Sequence, residues 1–356
     1  MLIRKVALLF GVLTILLLGG TAGVAHGGLR AYFFNVGQGD ATLLDAPHCT
    51  LLIDGGRHDR SDIVPYLDAL GVSGLDLLIG THPHADHIGQ FPKVLEEFPV
   101  GEVWMSGWEH DTLTFERSVD AILEAGAGYH EPRAGEVEEC GPLLLEIVHP
   151  VEPLQDVHDN IALRVVHGAV RFLFTGDAEA SHEGEMLERG EVLEADVLQL
   201  GHHGSRTSSS VPFLEAVAPE IAIYSAGSDN RYGHPHSEVI ERLLARGITV
   251  YGTAVHGTVT VLSDGEGVRV ETETGAAPVA DASWPDEKAP TPDDGCVDLN
   301  TGSAEELERI VHIGSARAEA IIGGRPWSSV EALTRIRGID GGRMDDIREQ
   351  DLACVE

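Results

Sequence analysis

The sequence predicts an α/β fold of two sheets covered by helices, followed by a small all-α unit. Residues 29–273 alternate short apolar runs with segments of helical spacing. Residues 274–295 are rich in Ala, Pro and Asp and lack periodicity, and residues 296–356 return to helical spacing. Because the middle segment has the composition of a linker, the chain is predicted to divide into an α/β domain and a C-terminal helical domain.

The strands of the α/β domain are predicted from apolar runs that end at a turn residue. In chain order these runs are LRAYFFNVGQGDATLLDA, CTLLIDGG, LDLLIGTH, PLLLEIVHP, IALRVVHG, VRFLFTGD, ADVLQLGHHG, EIAIYSAGS and TVYGTAV. Helices are predicted between them at SDIVPYLDALG, IGQFPKVLEEF, 181–188 and 237–246. Interleaved elements of this kind pack as sheets with helices on their outer faces.

The composition is that of a globular protein with an unusual charge. Of 356 residues, 43% are hydrophobic, which excludes a disordered chain. The net charge is −34, and lysine occurs only at Lys5, Lys93 and Lys288. An acid-rich, lysine-poor surface predicts a protein of a halophile. The alternative is an acidic mesophilic protein that its charge keeps soluble.

The N-terminus has the layout of a secretory signal peptide. Arg4 and Lys5 precede an apolar run that ends at Leu18, and small residues follow. Residues 1–25 are therefore predicted to be a signal peptide cleaved after Ala25. An uncleaved membrane anchor is the alternative, although the run is short for a span of about 20 residues. Either way, the protein is expected to be secreted or at the outer face of the membrane.

Four cysteines behind a signal peptide predict disulfides. Cys296 and Cys354 bracket the C-terminal segment and are predicted to pair, which leaves Cys49 for Cys140. The alternative is four unpaired, buried thiols.

The segment THPHADHIG predicts a metal site. In extended backbone His82 and His84 point the same way, because side chains alternate along a strand. After the following turn, Asp86 and His87 can face the same cavity from the other side. Imidazoles and a carboxylate suit Zn, Mn or Fe. Because one ion rarely needs four groups from one loop, two ions are predicted.

Two other strand ends fit such a site. RFLFTGDAE delivers Asp177 after a Gly turn, and a carboxylate there can bridge two cations. VLQLGHHGS delivers His202 and His203 at another strand end. A lone Asp at a strand end is more often a cap or turn residue, so each signal is weak alone. Together with THPHADHIG they are specific.

These motifs carry a family resemblance. HPHADH, FLFTGDAE, GHHGSRTSSS and YGHPHSE resemble the metallo-β-lactamase superfamily and, more narrowly, the metallo-hydrolase domain of the ComEC DNA-uptake proteins. NVGQGDATLL and LLIDGG are similar to the opening strands of that family. The resemblance covers residues 30 to about 265. It implies an αββα sandwich over residues 29–273, with a dinuclear centre between the edges of the sheets.

The resemblance also implies roles for the ligands. His82 and His84 would bind the first ion, Asp86 and His87 the second, and Asp177 would bridge them.

The remaining ligands are less closely defined. His202 is the expected further ligand of the second ion, with His203 behind it or facing the substrate. For the third ligand of the first ion, Asn160, His158, His149 and water all stay open.

The segment NRYGHPHSE lines the site in the family. His234 and His236 are therefore expected to bind phosphate or to protonate a leaving group. The alternative is a turn whose histidines are only exposed. Two cations would lower the pKa of a bridging water and offset charge on a phosphoryl oxygen. Asp86 and Asp177 count as catalytic because they hold those cations.

The C-terminal domain resembles tandem helix-hairpin-helix modules, in particular those of the ComEA competence proteins. Its motifs are DLNTGSAEELERI, VHIGSARAEAII and IRGIDGGRMDDI, and Ser303 with Glu306 forms a capping box. Turns of this type expose N–H groups that bind phosphate. The expected DNA contacts are Gly314, Ser315, Arg317, Gly338, Gly341 and Arg343. The alternative is a protein–protein or purely structural hairpin pair.

The sequence thus predicts a secreted phosphodiesterase that cleaves extracellular DNA, single- or double-stranded, with two divalent ions (Zn or Mn) and no nucleotide cofactor. Two alternatives remain: another phosphoester or lactone hydrolase that the C-terminal domain targets to DNA, and a non-catalytic DNA-binding surface protein. No oligomeric state is predicted.

Overall fold

The computed structural model describes residues 28–155, 157–228, 230, 232–280, 296–307, 309–339, 341–350 and 352–355. The predicted signal peptide and residues 281–295 of the predicted linker lie outside these ranges. Within them, no helix combines the length and apolar character that crossing a membrane requires.

Seventeen strands occur in the described residues. They are β1 Leu29–Phe33, β2 Thr42–Ala46, β3 Cys49–Ile53, β4 Leu75–Gly80, β5 Val100–Met105, β6 Gly128–His130, β7 Val137–Cys140, β8 Leu143–His149, β9 Ala162–His167, β10 Val170–Phe174, β11 Val197–Gln199, β12 Ile221–Tyr224, β13 Thr249–Gly252, β14 Val259–Ser263, β15 Val268–Thr272, β16 Val297–Asp298 and β17 Ala353–Cys354.

The described residues also form ten α-helices and two 3₁₀ turns. The helices are α1 Ile63–Leu70, α2 Phe91–Glu97, α3 Leu113–Ala125, α4 Ala180–Arg189, α5 Val211–Val217, α6 Ser237–Leu244, α7 Thr253–His256, α8 Ala304–Leu307, α9 Ser315–Gly323 and α10 Gly341–Gln350. The 3₁₀ turns are Gly201–Gly204 and Val330–Arg335. The prediction lacked helices α3, α5 and α7 and strands β5, β6, β7, β14 and β15, whereas α1, α2, α4 and α6 lie where helices were expected.

Two large sheets form the first domain. In the first sheet the strand order is β15-β14-β1-β2-β3-β4-β5-β6, antiparallel as far as β3 and parallel from β3 to β6. In the second the order is β13-β12-β11-β10-β9-β8-β7, parallel from β13 to β10 and antiparallel beyond. Parallel strands of both sheets therefore end near one edge, where loops can build a site.

The core lies in three layers because the strands alternate their side chains. In β4, Leu77 and Ile79 face the core between the sheets, whereas Leu78 packs under α1, α2 and α3. In β10, Phe172 faces inward and Leu173 packs under α4, α5 and α6. This arrangement is the predicted αββα sandwich.

Both predicted disulfides are present. Cys49–Cys140 joins β3 of the first sheet to β7 of the second, with 5.3 Å between the Cα atoms. Cys296–Cys354 joins the residue before β16 to the end of β17, with 5.6 Å between the Cα atoms. Each bridge restrains the unfolded chain by closing a long loop.

The C-terminal domain has its own small core. Leu307, Ile310, Ile321, Leu333 and Ile347 are buried together within it. The predicted capping box is confirmed: Ser303 N donates to Glu306 Oε2 at 2.7 Å, and Glu306 N donates to Ser303 Oγ at 3.2 Å. A core this small is commonly supported by a disulfide, which Cys296–Cys354 supplies.

Candidate metal centre

The predicted ligands meet at the carboxyl ends of strands from both sheets. His82 and His84 follow β4 of the first sheet, Asp177 follows β10 of the second, and His202 and His203 follow β11. The sandwich brings these ends together, so residues far apart in sequence face one cavity.

The first half-site consists of His82, His84 and Asp177. One ligand atom from each lies within 4.8 Å of the others. His82 Nε2 is 3.4 Å from Asp177 Oδ2, and the His82 and His84 rings are 4.6 Å apart. Both predicted histidines of the first ion therefore face one oxygen of the predicted bridge.

The second half-site consists of Asp40, His87, Asp177 and His203, again with ligand atoms within 4.8 Å of one another. His87 Nε2 is 3.2 Å from Asp177 Oδ1, and His203 Nε2 is 3.7 Å from the same oxygen. Asp86 Oδ2 lies beside this group, 3.3 Å from His203 Nε2. The two oxygens of Asp177 thus face opposite half-sites, which is the geometry of a bridging carboxylate.

The donor atoms fit divalent cations. Six ligand atoms are buried and have no hydrogen-bond partner: His82 Nε2, His84 Nε2, His87 Nε2, Asp177 Oδ1 and both carboxylate oxygens of Asp40. Leaving such atoms unsatisfied costs about 1–3 kcal/mol each. Two ligands at about 2.1 Å from a tetrahedral ion lie about 3.4 Å apart. The Nε2–Oδ distances of 3.2–3.7 Å to Asp177 match that spacing.

Polar groups behind the ligands fix their rings. Asp54 Oδ2 is 2.8 Å from His87 Nδ1, and Asp54 Oδ1 accepts the Thr81 N–H at 2.8 Å. Thr81 Oγ1 is 3.2 Å from His82 Nδ1. A partner on Nδ1 selects the tautomer whose Nε2 is free to bind a metal. Neither Asp54 nor Asp40 was predicted, although the motifs LLIDGG and NVGQGDATLL contain them.

The charges differ between the half-sites. Burial lowers the pKa of His82 to about 3 and the pKa of His84 well below its ordinary value. Burial also opposes protonation of His203, but the charges of Asp177 and Asp40 outweigh it and raise its pKa to about 9. The charges of Asp177 and Asp54 likewise overcome burial and raise the pKa of His87.

Comparison with known proteins agrees with this geometry. A family model described as the metallo-beta-lactamase superfamily matches residues 34–228, more than half of the chain. The chain belongs to the metallo-β-lactamase superfamily. A second model, described as the helix-hairpin-helix motif, matches residues 294–350. The predicted fold and family are confirmed, and the fold implies divalent metal ions.

Three curated relatives extend the comparison. ComE operon protein 3 of Bacillus subtilis is 31% identical over 246 residues, which are 63% of this chain and 32% of that protein. Competence protein ComA of Neisseria gonorrhoeae is 34% identical over 230 residues, 63% of this chain and 31% of that protein. A deoxyribonuclease of Thioalkalivibrio is 53% identical over 62 residues, 17% of each chain. The chain spans about a third of the length of the two competence proteins.

Within the metallo-β-lactamase domain, Asn160 holds the backbone of Asp177, the carboxylate between the two half-sites. Its Oδ1 accepts the Asp177 N–H at 3.0 Å, and its Nδ2 donates to the carbonyl of His158. Gly176 is required beside it, because a Cβ there would lie 2.6 Å from Asn160 Oδ1. Asn160 was predicted as a metal ligand, whereas the structure engages both ends of its amide with the backbone.

The other two candidates for the first ion's third ligand lie in different places. The His158 ring is 5.9 Å from the His82 ring and 5.3 Å from the His84 ring, beside the first half-site. His149 instead turns its Nε2 toward Asp159 and Glu185. Of these two histidines, only His158 adjoins the first half-site.

His202 and His203 lie differently from the prediction. His203, expected to lie behind the ligands or to face the substrate, joins the second half-site. His202, expected to bind the second ion, has Nε2 3.5 Å from Asp177 Oδ2 and Nδ1 3.1 Å from Thr207 Oγ1. Both residues have positive φ, 54° and 56°. Because two successive residues are left-handed, alternation along β11 does not give the directions of their side chains.

His234 and His236 lie at different distances from the candidate metal centre. The His234 ring is 6.0 Å from that of His202, and its Nδ1 is 3.2 Å from Gln38 Nε2. His236 lies farther back, where its Nδ1 accepts the Arg206 N–H at 3.0 Å. His234 therefore faces the centre, and His236 supports the loop around it.

The predicted DNA contacts cluster at two turns of the helix-hairpin-helix domain. Gly314 caps α9, and Gly341 begins α10. Arg317 Nη1 donates to the His312 carbonyl at 2.7 Å, and Arg343 Nη1 donates to the Gly338 carbonyl at 2.6 Å. The two arginines thus brace the turns that carry the glycines.

The two hairpin turns use the same backbone conformation. His312 has φ 61° and Gly338 has φ 80°. Both turns therefore use a left-handed residue, a conformation that glycine adopts more readily than histidine does.

A loop of the metallo-β-lactamase domain contacts the C-terminal domain. Tyr232 packs against the core of the helix-hairpin-helix domain. Its ring also stacks on His234, with 5.6 Å between centroids and 21° between planes. One side chain therefore contacts both the C-terminal core and a histidine of the metal centre.

Proposed function

We propose that the protein is a metal-dependent phosphodiesterase that cleaves DNA outside the cell. The observation that supports this most directly is the contact made by Tyr232, which joins a domain with a DNA-binding motif to His234 at the metal centre. DNA held at the hairpins would then lie close to the bridging carboxylate. The names of two relatives, competence protein ComA and a deoxyribonuclease, fit a DNA substrate.

We assign the proposed metal ligands from the two half-sites. His82, His84 and Asp177 would hold one ion, and Asp40, His87, His203 and Asp177 the other, with Asp86 beside them. Zn²⁺ and Mn²⁺ both suit imidazole and carboxylate ligands. Two such ions, when bound, supply a hydroxide nucleophile near neutral pH and offset charge on a phosphoryl oxygen.

His234 is proposed to act on the substrate. Asn230 holds its backbone at both ends, because Asn230 Oδ1 accepts the His234 N–H at 3.0 Å and Asn230 Nδ2 donates to the His234 carbonyl at 2.7 Å. Gln38 and Tyr232 orient the ring. A ring held in this way can donate a hydrogen bond to a phosphate oxygen or a proton to the leaving oxygen.

The hairpins are proposed to bind phosphates mainly through backbone N–H groups. Residues 296–356 carry seven arginines against twelve aspartates and glutamates, a net charge of −5. Binding through Lys and Arg weakens steeply with salt, whereas N–H groups at a helix N-terminus need no cationic side chain. Such binding suits a halophile, as does the net charge of −34.

Two features support an extracellular location. The described cysteines form two disulfides, which persist in oxidising compartments. The similarity to competence protein ComA fits this location. The predicted signal peptide is part of this proposal.

The catalytic proposal is tested by a nuclease assay on the full chain in molar KCl. Plasmid and single-stranded DNA are incubated with Mn²⁺ or Zn²⁺ and with wild type, Asp177→Ala or Asp120→Ala, an exposed carboxylate on α3. We expect cleavage by wild type and Asp120→Ala and a loss of about a thousandfold in Asp177→Ala, which lacks the shared ligand. No cleavage with either metal would contradict the nuclease assignment.

DNA binding is tested at Gly314, where an added Cβ meets nothing within 4 Å. Gly314→Glu places a negative charge at the proposed phosphate site, and Gly314→Ala is its matched control. In gel shifts of the full chain we expect at least a tenfold weaker affinity for Gly314→Glu and little change for Gly314→Ala. Equal affinities of the two variants would place the DNA elsewhere.

A further inference from the structure

A third group of metal-ligand types lies outside both half-sites. His149 ends β8, Asp159 lies in the loop before β9, and Glu185 is on α4. One ligand atom from each lies within 4.8 Å of the others. His149 and Asp159 are buried, whereas the side chain of Glu185 is 33% exposed, so the group is open to solvent on one side.

His149 is the decisive member of this group. Its Nδ1 lies 2.9 Å from the backbone carbonyl oxygen of Asn160. A carbonyl only accepts, so Nδ1 carries the proton and the neutral ring directs the Nε2 lone pair the other way. That Nε2 is buried without a hydrogen-bond partner. Burial lowers the pKa of His149, which favours the neutral ring.

Two carboxylates face this lone pair. His149 Nε2 is 3.6 Å from Asp159 Oδ1 and 3.7 Å from Glu185 Oε2. These distances are too long for good hydrogen bonds, and a lone pair opposite two anions is repelled. A cation between the three atoms would make every contact attractive. Ligands of one tetrahedral ion lie about 3.4 Å apart, which is close to the observed spacing.

We propose that His149, Asp159 and Glu185 form a third divalent-cation site, suited to Zn²⁺ or Mn²⁺. A ligating histidine that donates its other ring N–H to a backbone carbonyl is the usual arrangement around such ions. Here the accepting carbonyl belongs to Asn160.

The proposed ion would hold the loop that positions the catalytic bridge. The side-chain oxygen of Asn160 accepts the Asp177 N–H, and its backbone carbonyl accepts the Nδ1–H of His149. Asp159, the preceding residue, would be fixed directly by the ion. The site therefore has a structural role, one step removed from the reacting atoms.

The test is the metal content of the full chain, measured by mass spectrometry after equilibration at a fixed free Zn²⁺ concentration. Glu185→Gln removes one proposed ligand from a partly exposed position, and Glu188→Gln on the same helix is the matched control. We expect three ions per chain in wild type and Glu188→Gln, and two in Glu185→Gln. Equal metal content in Glu185→Gln and wild type would overturn the proposal.

The Asp177→Asn variant separates this site from the catalytic centre. With both half-sites weakened, we expect one ion to remain in Asp177→Asn and none in Asp177→Asn/Glu185→Gln. With Co²⁺ in place of Zn²⁺, the visible absorption of the single variant should disappear in the double variant. Two ions in wild type and none in Asp177→Asn would overturn the third site and leave the dinuclear centre standing. One ion in wild type and in Asp177→Asn, but none in Glu185→Gln, would support the third site without the dinuclear centre.

Discussion

The two half-sites share Asp177 but differ in the charge around their histidines. In the first half-site, Asp177 is the one carboxylate in the group with His82 and His84. In the second, Asp40 joins Asp177 in the ligand group. The pKa of His82 is about 3, and that of His203 is about 9. The histidines of the first half-site are therefore neutral, whereas those of the second half-site hold protons.

Surrounding carboxylates explain the difference. Asp54 contacts His87 Nδ1, and Asp86 lies beside His203 Nε2. A metal that enters the second half-site must displace protons but gains more negative charge around it. The first half-site offers less charge and no competing proton. Each prediction below tests one consequence of this asymmetry.

Removing one ligand, from either half-site, should give the largest loss of metal and activity among these variants. We expect His84→Ala and His203→Ala each to lose one ion and to lower nuclease activity on the order of a hundredfold. The double variant should be little worse than either single variant, since both ions serve one step. Metal analysis and steady-state rates measure this, with the exposed His58→Ala as control.

His202→Ala distinguishes the two neighbouring histidines. We expect it to keep the second ion, because His203 occupies that half-site. Loss of the second ion in His202→Ala but not in His203→Ala would restore the assignment made from the sequence.

Asp54→Asn should affect the second half-site and spare the metal ligands themselves. The amide cannot hold His87 Nδ1–H as a carboxylate does, so we expect about 10–100-fold weaker binding of one ion. Titration with Zn²⁺ should show one weakened step and one that is nearly unchanged. Equal weakening of both steps would mean that Asp54 acts on the whole loop through Thr81.

Proton release on metal binding should distinguish the two half-sites without any substitution. Because the ion-free pKa of His203 is about 9 and that of His87 is raised, metal must displace protons from both at pH 7. For each proton displaced, the metal affinity of the second half-site should fall about tenfold for every unit by which the pH is lowered. The first half-site should show no such dependence near neutrality, because the pKa of His82 is about 3. Calorimetry in buffers of different ionisation enthalpy counts the protons, and equal release at both steps would contradict the asymmetry.

The sequence by itself determined the sandwich, both disulfide pairs, the capping box and the loop of His82, His84, Asp86 and His87. Two sheets with helices outside them, the disulfides, the capping box and the loop depend on local rules: apolar periodicity, cysteines that bracket a segment, a Ser-x-x-Glu motif and alternation along a strand. The αββα order itself was implied by the family resemblance. Those rules hold while the backbone is regular, so the ligands that directly follow β4 could be predicted to face one cavity.

Only the tertiary structure decided which neighbours complete the site. His202 and His203 take φ of 54° and 56°, and Asp54 takes 57°, so alternation no longer predicts where their side chains point. Asp40 and Asp177 come from different sheets, and His149 meets Glu185 across a loop and a helix. Such contacts arise from long-range packing of the sandwich, which no local pattern in the sequence encodes.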